Sequence, residues 1–227
     1  QAMRRADADV YYQRAAGALT AFVVAFSKLH ARRSVFAGAH DLDFAPSLPL
    51  IRFGRDRWLV RWALAHVDAI TTQTRRQAQA CLSATGRQAL WVRNVGELAT
   101  PSAAAHGPVI WVGSVKVAKC PRAFVELARR FPGRQFRLVG GGEMSLIGDT
   151  ASRPPNLEVI GFVPQVDVGR QFDGASVLVN TSPAEGFPNT FLQAWARGIP
   201  TLSHVDPEVS FQGMAAGLTA ADIESMA

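Results

Sequence analysis

The C-terminal half of the chain alternates short apolar runs with amphipathic segments, and this rhythm limits the fold more than any other feature. The apolar run that begins at Val109, for example, is followed by a proline-started segment with helical periodicity from Pro121 to Phe131. Alternating strand and helix patterns are typical of a parallel sheet with helices on its faces. We therefore predict an α/β fold here, with strands at 109–115, 136–139, 157–163, 176–180 and 200–203 and helices at 121–131, 165–172 and 187–197.

The N-terminal half repeats the rhythm less clearly. We predict strands at 10–13, 34–37, 69–72 and 90–92 and helices at 15–29, 57–66 and 75–84. No obvious opening strand precedes them and the chain begins with Gln1, so we expect a fragment with an incomplete N-terminal domain and missing C-terminal helices. Residues 101–108 have the proline, alanine and glycine composition of a linker. The predicted organisation is a domain at 1–100, a linker at 101–108 and a domain at 109–227.

The net charge of +6 comes from the N-terminal half, where residues 1–106 hold 14 Lys and Arg against 7 Asp and Glu. Such a surface can face an anionic membrane or nucleic acid. No aromatic side chains interleave with the charges on strands, as nucleic-acid stacking requires, so nucleic acid is the least favoured partner. A basic interfacial helix and an ordinary solvated helix both remain open for the segment with Arg52, Arg55, Arg57, Arg61, Trp58, Leu59 and Trp62.

Composition also limits the cellular setting. The apolar stretch from Ala15 to Phe26 is shorter than the roughly 20 residues that a membrane-spanning helix needs. Cys81 and Cys120 have no partner spacing for zinc or a redox pair, which fits a reducing compartment. We predict a cytoplasmic protein, with peripheral contact at the inner membrane face left open.

The loop after the 176–180 strand carries the richest motif. Gly186 lets the backbone approach a ligand closely, and Pro188 sits where a first-turn proline loses no needed hydrogen bond. The N–H groups of Asn189 and Thr190 then point at an arriving anion, with Glu185 beside it as a hydroxyl acceptor. The alternative is an ordinary turn in which the Glu185 carboxylate only interacts favourably with the helix dipole.

The segment from Ser182 to Thr201 resembles the signature of retaining GT-B glycosyltransferases of family 4, which have Glu-Gly-Phe-Pro, a helix and a second glutamate eight positions after the first. The resemblance implies two Rossmann-like domains facing a cleft. It also implies that Glu185 and the backbone from Gly186 through Phe187 and beyond hold the donor sugar. Gln193 stands where the second glutamate would hold the ribose. Because glutamine lacks the charge, we expect weaker or altered nucleotide binding.

A second loop, after the strand that starts at Val109, matches the resembled family in part. The family has an arginine just after the glycine and a lysine five residues later, both on the donor diphosphate. Gly113 and Lys119 match, whereas Ser114 replaces the arginine. Lys116 offers a nearby second cation. The alternative is that Lys116 and Lys119 are ordinary exposed lysines with no ligand.

Two further loops are candidates for nucleotide contacts. Gly140-Gly141-Gly142-Glu143 follows a strand and is predicted to open a helix, and Gly141 can admit a nucleotide near the backbone. The dinucleotide fingerprint is incomplete, so NAD is disfavoured. Gly161-Phe162-Val163-Pro164 is similar to the family's base-contacting loop. This similarity implies that Phe162 and Val163 receive the base.

One histidine and two carboxylates complete the candidate residues. His40 follows a strand in the N-terminal half and is a candidate catalytic residue on the donor sugar or acceptor, with a structural histidine as the equal alternative. Asp41 and Asp43 are not predicted to bind metal, because the resembled enzymes hold the diphosphate with protein cations. Zinc, Walker and nucleophile-elbow motifs are absent.

The resemblance implies a hexosyltransferase that moves a sugar from a nucleoside diphosphate sugar to an acceptor hydroxyl with retention, in polysaccharide or glycoconjugate synthesis. No cofactor or metal is expected, and the acceptor is a glycan or lipid-linked molecule. A non-catalytic relative that binds sugar nucleotides or glycans, and a sugar-nucleotide isomerase, remain as alternatives because of Ser114 and Gln193. The catalytic candidates are Glu185, Lys119 and His40. The donor-binding candidates are Gly113, Ser114, Lys116, Gly141, Phe162, Val163, Gly186, Phe187, Pro188, Asn189, Thr190 and Gln193.

Overall fold

The computed structural model describes residues 1–226 and divides into two compact units. The first unit is Gln1–Asn94, and the second begins at Val95. Each unit contains one main sheet whose strands pair in parallel, with α-helices between most successive strands. The predicted α/β class is confirmed.

The first unit is a four-stranded parallel sheet whose spatial order, β1-β2-β3-β4, follows the chain. Among residues 1–226, no helix is long and apolar enough to cross a membrane. Most predicted elements of this unit are found with ends shifted by a few residues, and α1 is an addition. The elements are α1 (Ala2–Ala6), β1 (Val10–Arg14), α2 (Ala18–Leu29), β2 (Arg33–Ala37), α3 (Gly54–His66), β3 (Ala69–Thr72), α4 (Arg75–Thr85) and β4 (Leu90–Trp91).

One face of this sheet forms the core of the first unit. Phe36 on β2 and Ile70 on β3 are register partners and are almost fully buried. They pack with Val24 of α2, Val60 of α3 and Cys81 of α4. Burying an apolar side chain of this size contributes about 1.5–3 kcal/mol, so these contacts fix the helices on the sheet.

The second unit has a six-stranded parallel sheet and a separate two-stranded hairpin. The spatial order of the sheet is β12-β9-β8-β5-β6-β7. The elements are β5 (Val109–Val112), α5 (Pro121–Arg130), β6 (Phe136–Val139), β7 (Leu157–Gly161), α6 (Gln165–Gln171), β8 (Val177–Asn180), α7 (Asn189–Trp195), β9 (Thr201–Ser203), β10 (Ser210–Phe211), β11 (Met214–Ala215), β12 (Gly217–Thr219) and α8 (Ile223–Met226).

This strand order creates a switch point between β5 and β8. The chain runs from β5 outward through β6 to β7, then returns to place β8 on the other side of β5. Loops on either side of such a point diverge and leave a crevice at the carboxyl ends of the strands, where ligands bind in open α/β sheets. The order of the six strands is that of the dinucleotide-binding Rossmann sheet.

Helix α5 shows why some elements could be predicted from the sequence pattern. Pro121 occupies its first turn, where no hydrogen bond is lost. Phe124 and Ala128, one turn apart, are fully buried, whereas Arg122 and Arg129 face solvent. The apolar stripe packs on the sheet and fixes the helix directly after the loop that ends β5.

The glycine-rich turn at 140–142 does not open an α-helix as predicted. A 3-10 turn, Met144–Ile147, follows it instead. The Glu143 N–H donates to Val115 O at 2.8 Å, and Gly148 with a φ of +77° ends the turn after four residues. The turn is therefore too short to form an α-helix.

The hairpin β10–β11 and the edge strand β12 were not predicted. They are two or three residues long, and most of their residues are exposed. Sequence periodicity cannot indicate such short elements.

The division between the units falls after Asn94, outside the predicted linker at 101–108. Ser102 N and Ala103 N donate to Arg197 O at 3.0 and 3.2 Å, and Ala104 N donates to Ala175 O at 3.1 Å. Because these backbone bonds attach it to the residues just after α7 and just before β8, the alanine-rich segment belongs to the second unit.

Candidate functional site

The loops that follow β5 and β8 meet through an ion pair between Lys119 and Glu185. Lys119 ends a 3-10 turn just before α5, and Glu185 lies between β8 and α7. Lys119 Nζ donates to Glu185 Oε1. The two side chains are only 28% and 12% exposed, so salt screens this pair less than a surface pair. Two predicted catalytic residues are thus brought together at the switch point.

A buried threonine connects β5, β8 and the Lys119 loop. Trp111 Nε1, on β5, donates to Thr181 Oγ1 at 3.0 Å. Thr181 Oγ1 in turn donates to Lys119 O at 2.7 Å. Thr181 is 1% and Trp111 3% exposed, so each bond is protected from competition by water. The hydroxyl holds the backbone of Lys119 against the end of β8.

Aromatic packing fixes the start of α7. Phe191 is fully buried, and its ring lies 5.6 Å from that of Trp195. The Phe187 ring lies 6.1 Å from the same indole. Asn189 begins this seven-residue helix, with Pro188 just before it rather than in its first turn. The predicted donor residues 186–190 therefore comprise the end of the loop that holds Glu185 and the start of α7.

Glycines bring the ends of β5 and β6 into close contact. Gly113 N donates to Val139 O at 3.0 Å, and a Cβ on Gly140 would lie 1.7 Å from Gly113 O. Gly140 has a φ of +143°, a conformation that other residues rarely adopt. A Cβ on Gly142 would lie 2.4 Å from Val115 O. On this side of the crevice the backbone segments are so close together that an added Cβ at these glycines would clash.

The predicted base-contacting loop lies next to the glycine turn. Gly140 N donates to Gly161 O at 2.8 Å, which joins the end of β6 to the end of β7. A Cβ added to Gly141 would lie 3.0 Å from Phe162 Cβ, and Phe162 is 80% exposed. Val163 is half-buried. An aromatic ring exposed to solvent beside a glycine turn can stack on a planar base.

Gln193 lies on α7. It lines a cavity of about 640 Å³ together with Asn189 and Leu192 of α7, Arg170 of α6 and the segment 95–99. Neither Glu185 nor Lys119 lines this cavity. The backbone carbonyl of Gln193 accepts from Arg197 Nη1 at 3.1 Å.

Ser114 and Lys116 are exposed on the loop after β5. Val115 between them is buried, and its N–H donates to Gly141 O at 2.9 Å. Lys119 N donates to Lys116 O at 2.9 Å, which closes the 3-10 turn. The loop is thus pinned at Val115 and presents its neighbours to solvent.

His40 has a structural contact in the first unit. Its Nδ1 accepts from Leu42 N at 3.0 Å and begins the 3-10 turn Asp41–Phe44. Asp43 is buried and accepts from Ala39 N at 2.7 Å and His40 N at 3.0 Å. These bonds fix the loop after β2.

Asp41 pairs with Arg76 of α4. Burial raises the pKa of Asp41 above its usual value, while the Arg76 guanidinium acts in the opposite direction. Asp41 and its neighbour Asp43 thus have separate structural partners. Within residues 1–226, no group of three or more His, Cys, Asp or Glu side chains is arranged to hold a metal ion.

The family profile of glycosyl transferases group 1 matches residues 107–227, more than half of the chain. The chain belongs to the group 1 glycosyl transferases. The matched region contains β5, β8 and the Lys119–Glu185 pair. The predicted glycosyltransferase family is thereby confirmed.

Individual relatives of this glycosyltransferase are distant. The alpha-monoglucosyldiacylglycerol synthase of Acholeplasma laidlawii is 27% identical over 88 residues, which are 37% of this chain and 22% of that protein. Sucrose-phosphate synthase from Thermosynechococcus elongatus matches 99% of this chain with 64% of its own, at a TM-score of 0.72 and 14% identity. Anabaena HepE, in complex with UDP and glucose, matches 99% of this chain with 68% of its own chain, at a TM-score of 0.71 and 15% identity. The chain thus spans less than a quarter of the first relative, and the two solved structures show a shared fold.

Sequence reasoning missed three residues that shape the site of this glycosyltransferase. Thr181 and Trp111 form the buried hydrogen-bond chain to Lys119. Asn180 Oδ1 accepts from Ser182 N at 2.8 Å and turns the chain out of β8. A polar pair, Asn180-Thr181, at the end of an apolar strand was the available signal, since such residues there usually hold turns.

Thr181→Val is expected to destabilise the glycosyltransferase by about 1–3 kcal/mol, because it leaves the buried Trp111 indole N–H without an acceptor. It should also weaken donor binding, because the Lys119 carbonyl loses its hydroxyl partner. Urea denaturation and calorimetry measure the two effects. Thr181→Ser keeps the hydroxyl and should behave like the parent chain. Equal behaviour of the valine and serine variants would contradict the role of this hydroxyl.

Proposed function

We propose that the chain is the sugar-nucleotide-binding part of a retaining glycosyltransferase that moves a hexose from a nucleoside diphosphate sugar to an acceptor hydroxyl. The observation that carries the proposal is the Lys119–Glu185 pair at the switch point between β5 and β8. A cation suited to a diphosphate lies there beside a carboxylate suited to sugar hydroxyls. We place the reaction in polysaccharide or glycoconjugate synthesis.

The proposed chemistry exchanges the partners of this ion pair. When the donor binds, the Lys119 ammonium leaves Glu185 for the diphosphate, and the freed carboxylate accepts hydrogen bonds from the sugar. The bond between the anomeric carbon and the diphosphate oxygen then breaks, and the acceptor oxygen bonds to that carbon on the same face. The departing phosphate takes the acceptor proton. Lys119 stabilises the negative charge that grows on the leaving group.

The rest of the donor is assigned to the same edge of the sheet. We propose that Phe162 and Val163 receive the base and that Gly113 and Gly141 allow the nucleotide to approach the backbone. Support comes from the close packing at Gly141, where an added Cβ would lie 3.0 Å from Phe162 Cβ, and from the close approach of Gly113 O to Gly140. Residues 186–190 adjoin Glu185 and would face the sugar.

Gln193, Ser114, Lys116 and His40 are the remaining candidates for contacts with the donor or the acceptor. We assign the ribose to Gln193, whose side chain lines the cavity beside α7. Lys116 and Ser114 are exposed on the loop after β5 and can contact the outer oxygens of the donor diphosphate. His40 is proposed to contact the sugar or the acceptor, although its Nδ1 is engaged by Leu42 N.

Calorimetry with UDP-, GDP- and ADP-sugars, with hydrolysis followed in parallel, tests the function. One donor is expected to bind and to turn over equally with and without EDTA, since protein cations hold the diphosphate. Glu185→Gln should weaken both signals, while Glu126→Gln on the exposed face of α5 should not. Failure of every donor to bind would contradict the proposal.

A second candidate function is a non-catalytic relative that binds sugar nucleotides or glycans. It is favoured by Ser114 and Gln193, which replace residues expected in active enzymes. Binding without turnover would support it. Conversion of the sugar nucleotide without an acceptor would instead indicate an isomerase.

We further propose a cytoplasmic location with peripheral contact between the first unit and an anionic membrane. Leu50, Phe53 and Trp58 are 62%, 56% and 62% exposed at the start of α3, and Arg52 and Arg55 are exposed among them. Aromatic and basic side chains exposed together suit a lipid headgroup region. The acceptor would then be glycan or lipid-linked.

The other predicted interfacial residues contribute less to this surface. Arg57 Nε donates to Ile51 O at 2.9 Å, and Arg61 Nη2 donates to Pro46 O at 2.8 Å. Trp62 is half-buried and stacks on His66 at 4.9 Å. Their side chains are occupied by intramolecular contacts, which leaves the segment from Leu50 to Trp58 as the proposed surface.

Phe53→Ala combined with Trp58→Ala is expected to reduce binding to vesicles of phosphatidylglycerol and phosphatidylcholine by roughly tenfold or more, because two exposed aromatic side chains are removed. Vesicle co-sedimentation measures the change. Phe211→Ala, which removes a 70% exposed ring in the second unit, is the control. Unchanged binding of the double variant would contradict the proposed surface.

A further inference from the structure

A buried carboxylate holds the loop after β2 in the first unit. Asp43 is 3% exposed, and its Oδ2 accepts from Ala39 N at 2.7 Å and from His40 N at 3.0 Å. Its Oδ1 accepts from Ala16 N, just after β1, at 3.2 Å. Bonds from backbone N–H groups to a buried carboxylate are charge-assisted and protected from water. Asp43 therefore ties the ends of β1 and β2 together at the carboxyl edge of this sheet, where ligands of open parallel sheets bind.

His40 is part of a capping box on the same loop. Its Nδ1 accepts from Leu42 N at 3.0 Å, while the Asp43 carboxylate accepts from its backbone N–H. The turn is anchored by Phe44, which is 2% exposed and lies edge-on to the Phe36 ring at 6.0 Å between ring centres. These contacts fix the backbone around His40 and one nitrogen of its ring.

The bond from Leu42 N decides where the neutral His40 ring carries its proton. A backbone N–H donates only to a ring nitrogen that has a lone pair, so Nδ1 is unprotonated and the proton is on Nε2. A proton acceptor at Nε2 would require the other tautomer, in which two N–H groups would face each other at 3.0 Å. Nε2 is therefore a hydrogen-bond donor.

We propose that Asp43 is a positioning residue that holds His40 as the Nε2–H tautomer, so that His40 donates a hydrogen bond to an oxygen of the sugar nucleotide and takes no proton from the acceptor. The attacking hydroxyl has to lose its proton, which an N–H group cannot take. The hydroxyl and phosphate oxygens of a sugar nucleotide accept hydrogen bonds. The contact of His40 with the sugar nucleotide rests on the proposed function, whereas the tautomer and the role of Asp43 in fixing it do not.

NMR spectroscopy of the full chain, with histidine labelled with the NMR-active nitrogen isotope, tests the tautomer. The His40 signals are those lost in His40→Asn. In the parent chain we expect a protonated Nε2 and an unprotonated Nδ1. A protonated Nδ1 would overturn the inference.

Asp43→Ala tests the positioning role by the same signals. We expect a mixture of the two His40 tautomers, because the variant removes the acceptor of three backbone N–H groups. Asp9→Ala is the matched control, since its exposed carboxylate pairs with Arg32 in the same unit and its loss should leave the His40 signals unchanged. If circular dichroism shows that Asp43→Ala does not fold, Asp43→Asn replaces it, because it keeps the shape but turns one acceptor oxygen into a donor. A parent-like tautomer in a folded Asp43 variant would contradict the role of Asp43.

His40→Asn separates the two roles of the side chain. The asparagine oxygen can take the place of Nδ1 and accept from Leu42 N, but no group replaces Nε2. The urea midpoint of unfolding should stay near that of the parent chain, while kcat/KM for hydrolysis of the sugar nucleotide should fall roughly tenfold or more, the value of one lost hydrogen bond. Parent-like hydrolysis would show that His40 serves only the turn, and the inference would be wrong.

Comparison of the NMR signals with sugar-nucleotide binding separates this inference from the proposed function. If a sugar nucleotide binds while His40 carries its proton on Nδ1, the inference falls and the proposed function stands. If the tautomer and its loss in the Asp43 variant are as expected while no sugar nucleotide binds, the proposed function falls and the positioning role of Asp43 stands.

Discussion

Lys119→Ala is expected to lower turnover of the nucleoside diphosphate sugar by roughly 10²–10³-fold, the usual cost of removing one group that stabilises charge in the transition state. Lys119 contacts Glu185 at the switch point, where the diphosphate is proposed to bind. The Glu185 carboxylate is only 12% exposed and loses its partner, so the substitution should also lower the free energy of unfolding by about 1–3 kcal/mol. Steady-state kinetics and urea denaturation measure the two effects.

Lys28→Ala is the control for this prediction. Lys28 is an exposed lysine near the end of α2 in the first unit, and its removal costs the same charge. Turnover of the control should stay near that of the parent chain. A loss of folding stability in Lys119→Ala large enough to account for the lost turnover would show that Lys119 acts structurally.

Gly140→Ala is expected to destabilise the chain by about 4 kcal/mol or more, among the larger effects of a single substitution. Its Cβ would lie 1.7 Å from Gly113 O, and its φ of +143° is disfavoured for alanine. Relief requires β5 and β6 to separate at their carboxyl ends, which should also abolish sugar-nucleotide binding. Urea denaturation followed by circular dichroism gives the change in stability.

Gly133→Ala provides the comparison in the same unit. A Cβ at Gly133 would meet no atom within 4 Å, and its φ lies outside the left-handed region. The free energy of unfolding should change by no more than about 0.5 kcal/mol. Similar losses in the two variants would mean that the close approach at Gly140 does not exist.

The fold was predictable wherever an element buries a regular stripe. Helix α5, with Phe124 and Ala128 inside and charged residues outside, matches its predicted position within one residue. The 3-10 turn Met144–Ile147 was not predictable, because it depends on the bond from Glu143 N to Val115 O, two segments distant in sequence. The edge strand Gly217–Thr219 is too short and too exposed to leave a pattern.

Some contacts in the candidate site could also be predicted from the sequence. Loops after β5 and β8 were expected to converge because parallel strands share a carboxyl edge, and Lys119 does contact Glu185. The bond from Thr181 to Lys119 O was not predictable, since it depends on which face of β8 each side chain occupies. The Leu42 contact of His40 was likewise hidden, because it requires the 3-10 turn after β2.

Hydrogen–deuterium exchange with the tightest-binding sugar nucleotide tests the central claim most directly, because it reports where the donor binds. The account predicts slower exchange in the loop with Lys119 after β5 and in the loop from Ser182 to Thr190 after β8, at the two sides of the switch point. Exchange in α5 beyond its first turn should not change. Protection confined to other regions, with both loops exchanging as in the free chain, would contradict the assignment of this crevice as the donor site.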